Sequence, residues 1–297
     1  MNNAIIAIDT TFSGAAMLQK QLDCAIYIKF PDPKGYDKQL TTIPRNITDL
    51  DSGGNDINHY IFAGSGALLE VDLSRLDGYK TVLITDSHYL RHTDVIDALI
   101  EQYSINVFCM ADLWKHCRHH KRMYVHPFEE IPILEKNNEL TIGHSPYHKI
   151  GTDKKGSKAI QRSIDKLKMD MPCNYKVWSN STWQETISEK SKCHFFVDQL
   201  AGNHYPEMGY SGGVGKSGLE AMLTKCLTFS SGNSVFSDIE PCPVVYVQNE
   251  LELDGMLNYY LDNIELAGHK IIEQYRWAKK YTNPEYVAAK INDYELQ

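Results

Sequence analysis

The chain has 297 residues, enough for two domains of ordinary size, each with a core of its own. A hydrophobic fraction of 42% and a charged fraction of 23% exclude a disordered or collagen-like chain. The net charge of −8 excludes a general polyanion binder, and seven cysteines without a C-x-x-C pair exclude a zinc ribbon and a disulfide framework.

That cysteine usage suits a reducing compartment, and no apolar run approaches a membrane-spanning length, so a cytoplasmic location is expected. Charge is unevenly spread. Residues 112–126 carry four Lys/Arg, one Asp and four His, and residues 148–168 carry seven Lys/Arg and two Asp. Two basic segments in an otherwise acidic body point to an anionic ligand held in one place.

Ala4-Ile-Ile-Ala-Ile8 is an unbroken apolar run, as a buried parallel strand requires. A small-residue turn, Thr10 to Ala16, leads into a helical pattern through Leu18 and Leu22, which makes a Rossmann-like opening. Gly14 stands alone where a dinucleotide site needs G-x-G-x-x-G, so no cofactor is expected. On the residues alone, Gly14 packs helix against strand. Cys24 to Ile28 is a second strand, and residues 31–58 read as a long irregular loop. Asp49-Leu-Asp51 imitates a metal-binding D-x-D but has no matching context, and is taken as solvated.

Lys80 to His88 reads as a strand running into a polar carboxyl end, where open α/β sheets gather ligands. Asp86, Ser87 and His88 are therefore candidates, with capping of the helix near Thr93 an equal alternative for Asp86 and Ser87. Helix 93–102, strand 105–109, helix 111–119 and strand 123–125 complete a first α/β domain. His116, His119, His120 and His126 surround a helix end without ordered partner ligands, so a solvated basic surface is expected and no metal site.

The second half opens with a strand into His144-Ser-Pro146, a basic turn holding Lys149, Lys154 and Lys155, and helix 157–168. Strand 175–178, helix 182–191 and strand 194–197 follow. Then comes Tyr205 to Met222, a glycine-rich loop entering a helix with Leu219, Met222 and Leu223 on one face. Such a helix start aims backbone N–H groups and a positive dipole end at one point, an anion site. It is not a P-loop, because the pattern needs Gly where Tyr210 stands. Glu220 is either a ligand group or the far end of a capping box, Ser217-x-x-Glu220. Short strands are expected at 227–229 and 244–247.

Two of these stretches resemble the GT-B glycosyltransferases, the nucleotide-sugar-dependent families grouped around the retaining enzymes. Gly213, Gly215 and Glu220-Ala-Met222 match the glycine pair and helix start of their donor site, with Gly212 in place of the motif's first carboxylate. The resemblance implies that Glu220 accepts hydrogen bonds from the ribose hydroxyls of a nucleotide. His144-Ser-Pro146, Lys149 and Lys155-Gly-Ser157 match a second motif, whose two basic residues neutralise the donor diphosphate; Lys154 is the alternative to Lys155. It also implies a diphosphate approach at Gly14 and catalytic roles for His88 and Asp86. His126-Pro-Phe-Glu129 resembles the turn closing the first domain, and residues 275–284 resemble closing helices that cross back onto it.

The implied fold is α/β, GT-B, with two Rossmann-like domains facing across a cleft: an acceptor domain at 1–136 and a donor domain at 137–297. The implied activity is transfer of a sugar from a nucleoside diphosphate-sugar to a hydroxyl, with retention and without a metal. Alternatives are a phage-type DNA glycosyltransferase acting on a hydroxymethylated pyrimidine, a sugar-nucleotide epimerase of the same fold, and a non-catalytic nucleotide- or sugar-binding relative. The implied partner is the nucleotide-sugar donor; the acceptor, nucleic acid included, and the oligomeric state stay open.

Overall fold

The computed structural model describes residues 3–7, 13–22, 24–28, 45–46, 50, 57–84, 88–109, 117, 121–122, 128, 130–146, 153, 155–178, 181–200, 214–231 and 240–293, and structural statements refer to these. Their strands are β1 (Asn3–Ala7), β2 (Ala25–Ile28), β3 (Arg45–Asn46), β4 (His59–Ala63), β5 (Tyr79–Ile84), β6 (Asn106–Cys109), β7 (Lys121–Arg122), β8 (Thr141–His144), β9 (Asn174–Val177), β10 (Phe195–Gln199), β11 (Leu227–Ser230) and β12 (Val245–Tyr246). Their helices are α1 (Ser13–Leu22), α2 (His88–Arg91), α3 (Thr93–Gln102), α4 (Ser157–Asp170), α5 (Trp183–Ser191), α6 (Lys216–Leu223), α7 (Glu250–Asp262), α8 (Ile264–Tyr281) and α9 (Pro284–Asp293). Contacts divide the chain into two compact units, Met1–Glu129 with Tyr281–Gln297, and Glu130–Lys280.

The first unit is built on a parallel sheet in the order β3-β2-β1-β4-β5-β6-β7. β1 and β4 are apolar nearly throughout because they lie centrally and are buried, as parallel strands covered on both faces must be. In α3, Ile96 and Ile100 lie one turn apart and are buried; Asp97 goes in with them because the Tyr89 hydroxyl donates to it at 2.9 Å. The last helix belongs to this unit. Val287, Ala288 and Ile291 of α9 are buried in one cluster with Ile5, Leu18 and Leu22, each large apolar side chain contributing about 1.5–3 kcal/mol.

Among the described residues, Lys121–Arg122 pairs with Phe108–Cys109 as the last strand of the sheet order, and the strand expected at 123–125 lies outside them. β3 forms inside the expected loop by pairing with Tyr27–Ile28. Helix 111–119 lies outside the described residues except for Cys117.

In the second unit all pairings are parallel, in the order β12-β11-β10-β8-β9. Chain order reverses between β8 and β10. That pair is the topological switch point, outside whose carboxyl ends ligands collect in open α/β sheets. The core packs Ile160, Ile164 and Leu167 of α4 against Ile142, Val197 and Phe229 of the sheet. Residues 130–136, placed with the first domain from sequence, pack here: Leu134 N donates to Ser191 Oγ, and Lys136 Nζ to the carbonyls of Ser191 and Thr224. α5 starts on a true capping box, Thr182 and Glu185 exchanging hydrogen bonds. No helix among the described residues is long and apolar enough to cross a membrane.

Candidate functional site

The carboxyl ends of β8 and β10 carry His144 and Asp198, both with no exposed surface. His144 Nδ1 lies 2.8 Å from the Val197 carbonyl, which can only accept, so Nδ1 carries the proton. Nε2 is then the acceptor for the Ser157 hydroxyl, also at 2.8 Å. The ring ties β8 to β10 and to the first residue of α4. Burial, above all, holds its pKa down to about 4, and the nearby Lys155 pushes the same way. It is a neutral strut.

The turn entering α4 is fixed by backbone contacts. Gly156 adopts a left-handed φ of 68°, and a Cβ there would lie 2.8 Å from the Leu200 carbonyl oxygen. Leu200 N donates to Lys155 O at 2.9 Å, so this turn is locked onto the end of β10. Two of the free N–H groups at the start of α4 are already used: Asp153 accepts from Ser157 N and Lys158 N at 2.6 and 2.9 Å. Burial works to raise the Asp153 pKa, but those N–H donors bring it below the usual carboxylate value.

A cation and a second helix start converge on Asp198. Lys155 Nζ lies 2.9 Å from its Oδ1, and Gly215 N donates to its Oδ2 at 2.8 Å. The glycines make this approach feasible: a Cβ on Gly215 would meet Asp198 Oδ2 at 3.2 Å, and one on Gly218 would meet Val214 Cγ1 at 2.6 Å. α6 therefore begins directly against the carboxylate that holds Lys155. Just past the end of β8, the Ser145 hydroxyl oxygen is buried and makes no hydrogen bond among the described residues.

Glu220 lies one turn into α6 with 5% of its surface exposed. Trp183 Nε1 donates to its Oε1 at 2.9 Å, and Lys190 Nζ to its Oε2 at 2.7 Å. Burial alone would raise its pKa; Lys190 first, then Lys216 and Trp183, bring it below the usual value. The capping-box alternative does not form. Gly215, not Ser217, is the N-cap, without a side-chain cap, and the Ser217 hydroxyl instead meets Lys190 at 3.0 Å.

Of the residues singled out from sequence, Lys155 and Gly215 are thus brought together on Asp198, with Glu220 on the same helix as Gly215. Gly14 lies in α1, the helix after β1, and His88 opens α2. Asp86, Lys149 and Gly213 lie outside the described residues, as do Lys154, Gly212 and the four histidines of 116–126. Among the described residues no group of three or more His, Cys, Asp or Glu is placed to hold a metal ion. Four residues were missed. Asp198 had a usable signal, a carboxylate ending the apolar run Phe195-Phe-Val197; Asp153, Trp183 and Lys190 had none.

The buried histidines set an acid limit. His59, on β4, is held to about 4 by burial, as His144 is. Unfolded histidines titrate near 6.5, so the unfolded chain binds protons first as the pH falls. Stability from each is complete above about pH 6.5 and is lost toward pH 4, about 3 kcal/mol apiece. Urea unfolding from about pH 7 to 4 should show this slope, and His144→Gln should flatten it; an unchanged slope would rule the histidine out.

No protein-family model matches the chain, and no curated protein matches it in sequence. Solved structures do match in fold. Alr3699/HepE of Anabaena, solved in complex with UDP-glucose, aligns at a TM-score of 0.69 and 10% identity, covering 100% of both chains. CalG4, the calicheamicin glycosyltransferase, aligns at 0.53 and 8% identity over 100% of this chain and 99% of its own. The UDP-GlcNAc 2-epimerase of Methanocaldococcus jannaschii aligns at 0.53 and 10% identity, with the same coverage. The chain has the GT-B fold, an α/β architecture of two parallel sheets with their helices.

Proposed function

We propose that this protein is a glycosyltransferase that moves a sugar from a nucleoside diphosphate-sugar to a hydroxyl, with retention. The observation that carries this reading is the convergence of Lys155 and the start of α6 on Asp198, at the switch point between β8 and β10. A diphosphate at that edge would meet a lysine charge and a helix N-terminus, with Lys149 and the backbone at Gly213 as further proposed contacts and Gly215, whose N–H is held by Asp198, contributing room for its approach. In the transfer, the acceptor oxygen bonds the anomeric carbon as its bond to the diphosphate breaks, and the nucleoside diphosphate leaves. Lysine charge and oriented N–H groups would stabilise that leaving group in place of a metal. Glu220 is the proposed ribose contact, Gly14 a further diphosphate contact, and His88 and Asp86 the proposed acid–base groups. A neighbour solved with UDP-glucose supports a UDP-sugar as the first donor to try.

The epimerase reading is second, favoured by the likeness to a solved UDP-GlcNAc 2-epimerase. The test uses a panel of UDP-, ADP- and GDP-sugars, scored first by thermal unfolding. A bound donor at a hundredfold its Kd is expected to add about 2.7 kcal/mol of stability. Release of nucleoside diphosphate is then followed with neutral sugars and with duplex DNA carrying hydroxymethylated pyrimidines as acceptors. Release only when an acceptor is present supports transfer. Isomerisation of the donor without acceptor would hand the site to the epimerase, and a panel with no binder would sink both readings.

A further inference from the structure

Lys190 ends α5 with none of its side chain exposed, yet it is a charged residue that no motif marks. Its ammonium has three protons, and three acceptors meet it: Ser217 O at 3.2 Å, Ser217 Oγ at 3.0 Å and Glu220 Oε2 at 2.7 Å. The Phe196 ring closes the remaining side, its centroid 4.8 Å from the nitrogen. All of its donors are therefore spent on the first two turns of α6. Burying a lysine is costly unless it is paired, so a lysine wholly committed to one carboxylate and its helix needs a reason.

Glu220 gives that reason when its acceptor sites are counted. An ionised carboxylate offers about four, and the structure fills one on Oε1 with Trp183 and one on Oε2 with Lys190. Among the described residues these are its partners, so by count one acceptor site on each oxygen remains, the number two vicinal hydroxyls need. We propose that Lys190 is the positioning residue for ribose recognition: it clamps Glu220 as an ionised, doubly open acceptor, so that selection of ribose over deoxyribose holds across the neutral pH range. This rests on the nucleotide-sugar reading and names the residue on which its ribose contact depends.

The charges around Glu220 bear this out. Lys190 comes from α5, and Lys216 lies one turn earlier on its own helix. On β10, Asp198 is engaged with Lys155 and Gly215 N. The thiol of Cys193, beside Lys190, is pushed up to about 12 chiefly by burial, so it stays neutral and does not compete for the ammonium. Without Lys190, burial would push the Glu220 carboxyl up, with only Lys216 and Trp183 left to oppose it, so the protonated form gains ground as the pH falls. A protonated carboxyl is a poorer acceptor for two hydroxyls and keeps one oxygen as a donor.

The experiment compares UDP with 2′-deoxy-UDP by calorimetric titration between about pH 6 and 8.5, with the ADP and GDP pairs alongside. Wild type is expected to prefer the ribonucleotide about tenfold or more, with a flat pH profile. Lys190→Met should lower the ratio, most of all at pH 6, and let it climb as the pH rises and the stranded Glu220 ionises. Lys190→Gln keeps a donor to Glu220 without the charge, disturbs folding less, and should show the same climbing ratio. A flat, wild-type ratio in either variant would overturn the role of Lys190, since a merely structural lysine changes stability without moving this ratio. Wild type binding both sugars equally would overturn it too, by removing the ribose contact, while leaving the diphosphate contact standing. Wild type binding none of the nucleotides would instead bring down the proposed function itself.

Discussion

Lys155→Met is expected to cost far more folding free energy than Asp198→Asn, although the two substitutions break the same ion pair. The asymmetry comes from burial. The Asp198 side chain has no exposed surface, whereas Lys155 keeps 18%. Removing Lys155 strands a carboxylate in the interior with Gly215 N as its remaining donor among the described residues, a loss of about 3–5 kcal/mol. Neutralising Asp198 leaves Lys155 on a flexible stem in a turn, free to carry its charge to water, and the loss is about 1–2 kcal/mol. The double variant should recover most of the larger loss, because no buried charge is then uncompensated. Urea unfolding of the four proteins checks this, and an Asp198→Asn variant less stable than Lys155→Met would refute the burial explanation. The same Lys155→Met protein should bind UDP about 1.5–3 kcal/mol more weakly. Its affinity for uridine should hold.

Much of the fold was readable because parallel strands announce themselves as short apolar runs. Ala4–Ile8, Cys24–Ile28 and Phe195–Val197 each appear within a residue or two of the strand that forms. The failure at β4 is instructive. His59-Tyr-Ile-Phe-Ala63 is central in the sheet, paired to β1 and β5, yet no strand was expected between Ile28 and Lys80. It begins on a histidine at the end of a long polar segment, and that histidine is buried with Thr81 Oγ1, on the neighbouring strand, 2.9 Å from its Nε2. Such a cross-strand partner, 22 residues on, is invisible to local periodicity.

The site was legible to the same extent. Lys155, Gly215 and Glu220 stand in motifs whose spacing is local. Their partners do not: Asp198 is 43 residues from Lys155, and Lys190 is 30 residues before Glu220. Sequence alone puts Lys190 inside helix 182–191 with nothing local to mark a buried partner. Only the stacking of α5 against α6 brings it under Glu220. The capping box failed for a related reason. Ser217 and Glu220 have the right spacing, but the helix starts at Lys216, two residues earlier than a cap at Ser217 allows, because Gly215 N is drawn onto Asp198.

Glycine-to-alanine substitutions at positions 156, 215 and 255 should separate three physical roles that one residue type plays in this unit. At Gly156 two costs add. A non-glycine residue in the left-handed region loses about 1–2 kcal/mol. Its Cβ would also press on Leu200, 2.8 Å from the carbonyl oxygen and 3.0 Å from the Cβ. Leu200 is buried and its N–H is bound to Lys155 O, so the neighbour cannot yield, and overpacking of this kind costs about 1–3 kcal/mol more. At Gly215 the backbone φ is −68°, which alanine adopts freely. The contact there is with the Asp198 carboxylate at 3.2 Å, so the loss should be smaller in stability and should appear in diphosphate affinity, because Asp198 positions Lys155. Gly255, inside α7, has nothing within 4 Å of the added Cβ, and alanine there should stabilise the protein by about 0.5–1 kcal/mol. The expected order of stability is therefore Gly255→Ala above wild type, Gly215→Ala slightly below it, and Gly156→Ala well below both. Urea midpoints rank the three directly. A Gly156→Ala protein as stable as wild type would mean that the turn holding Lys155 can move, and with it the lysine that the diphosphate needs in place.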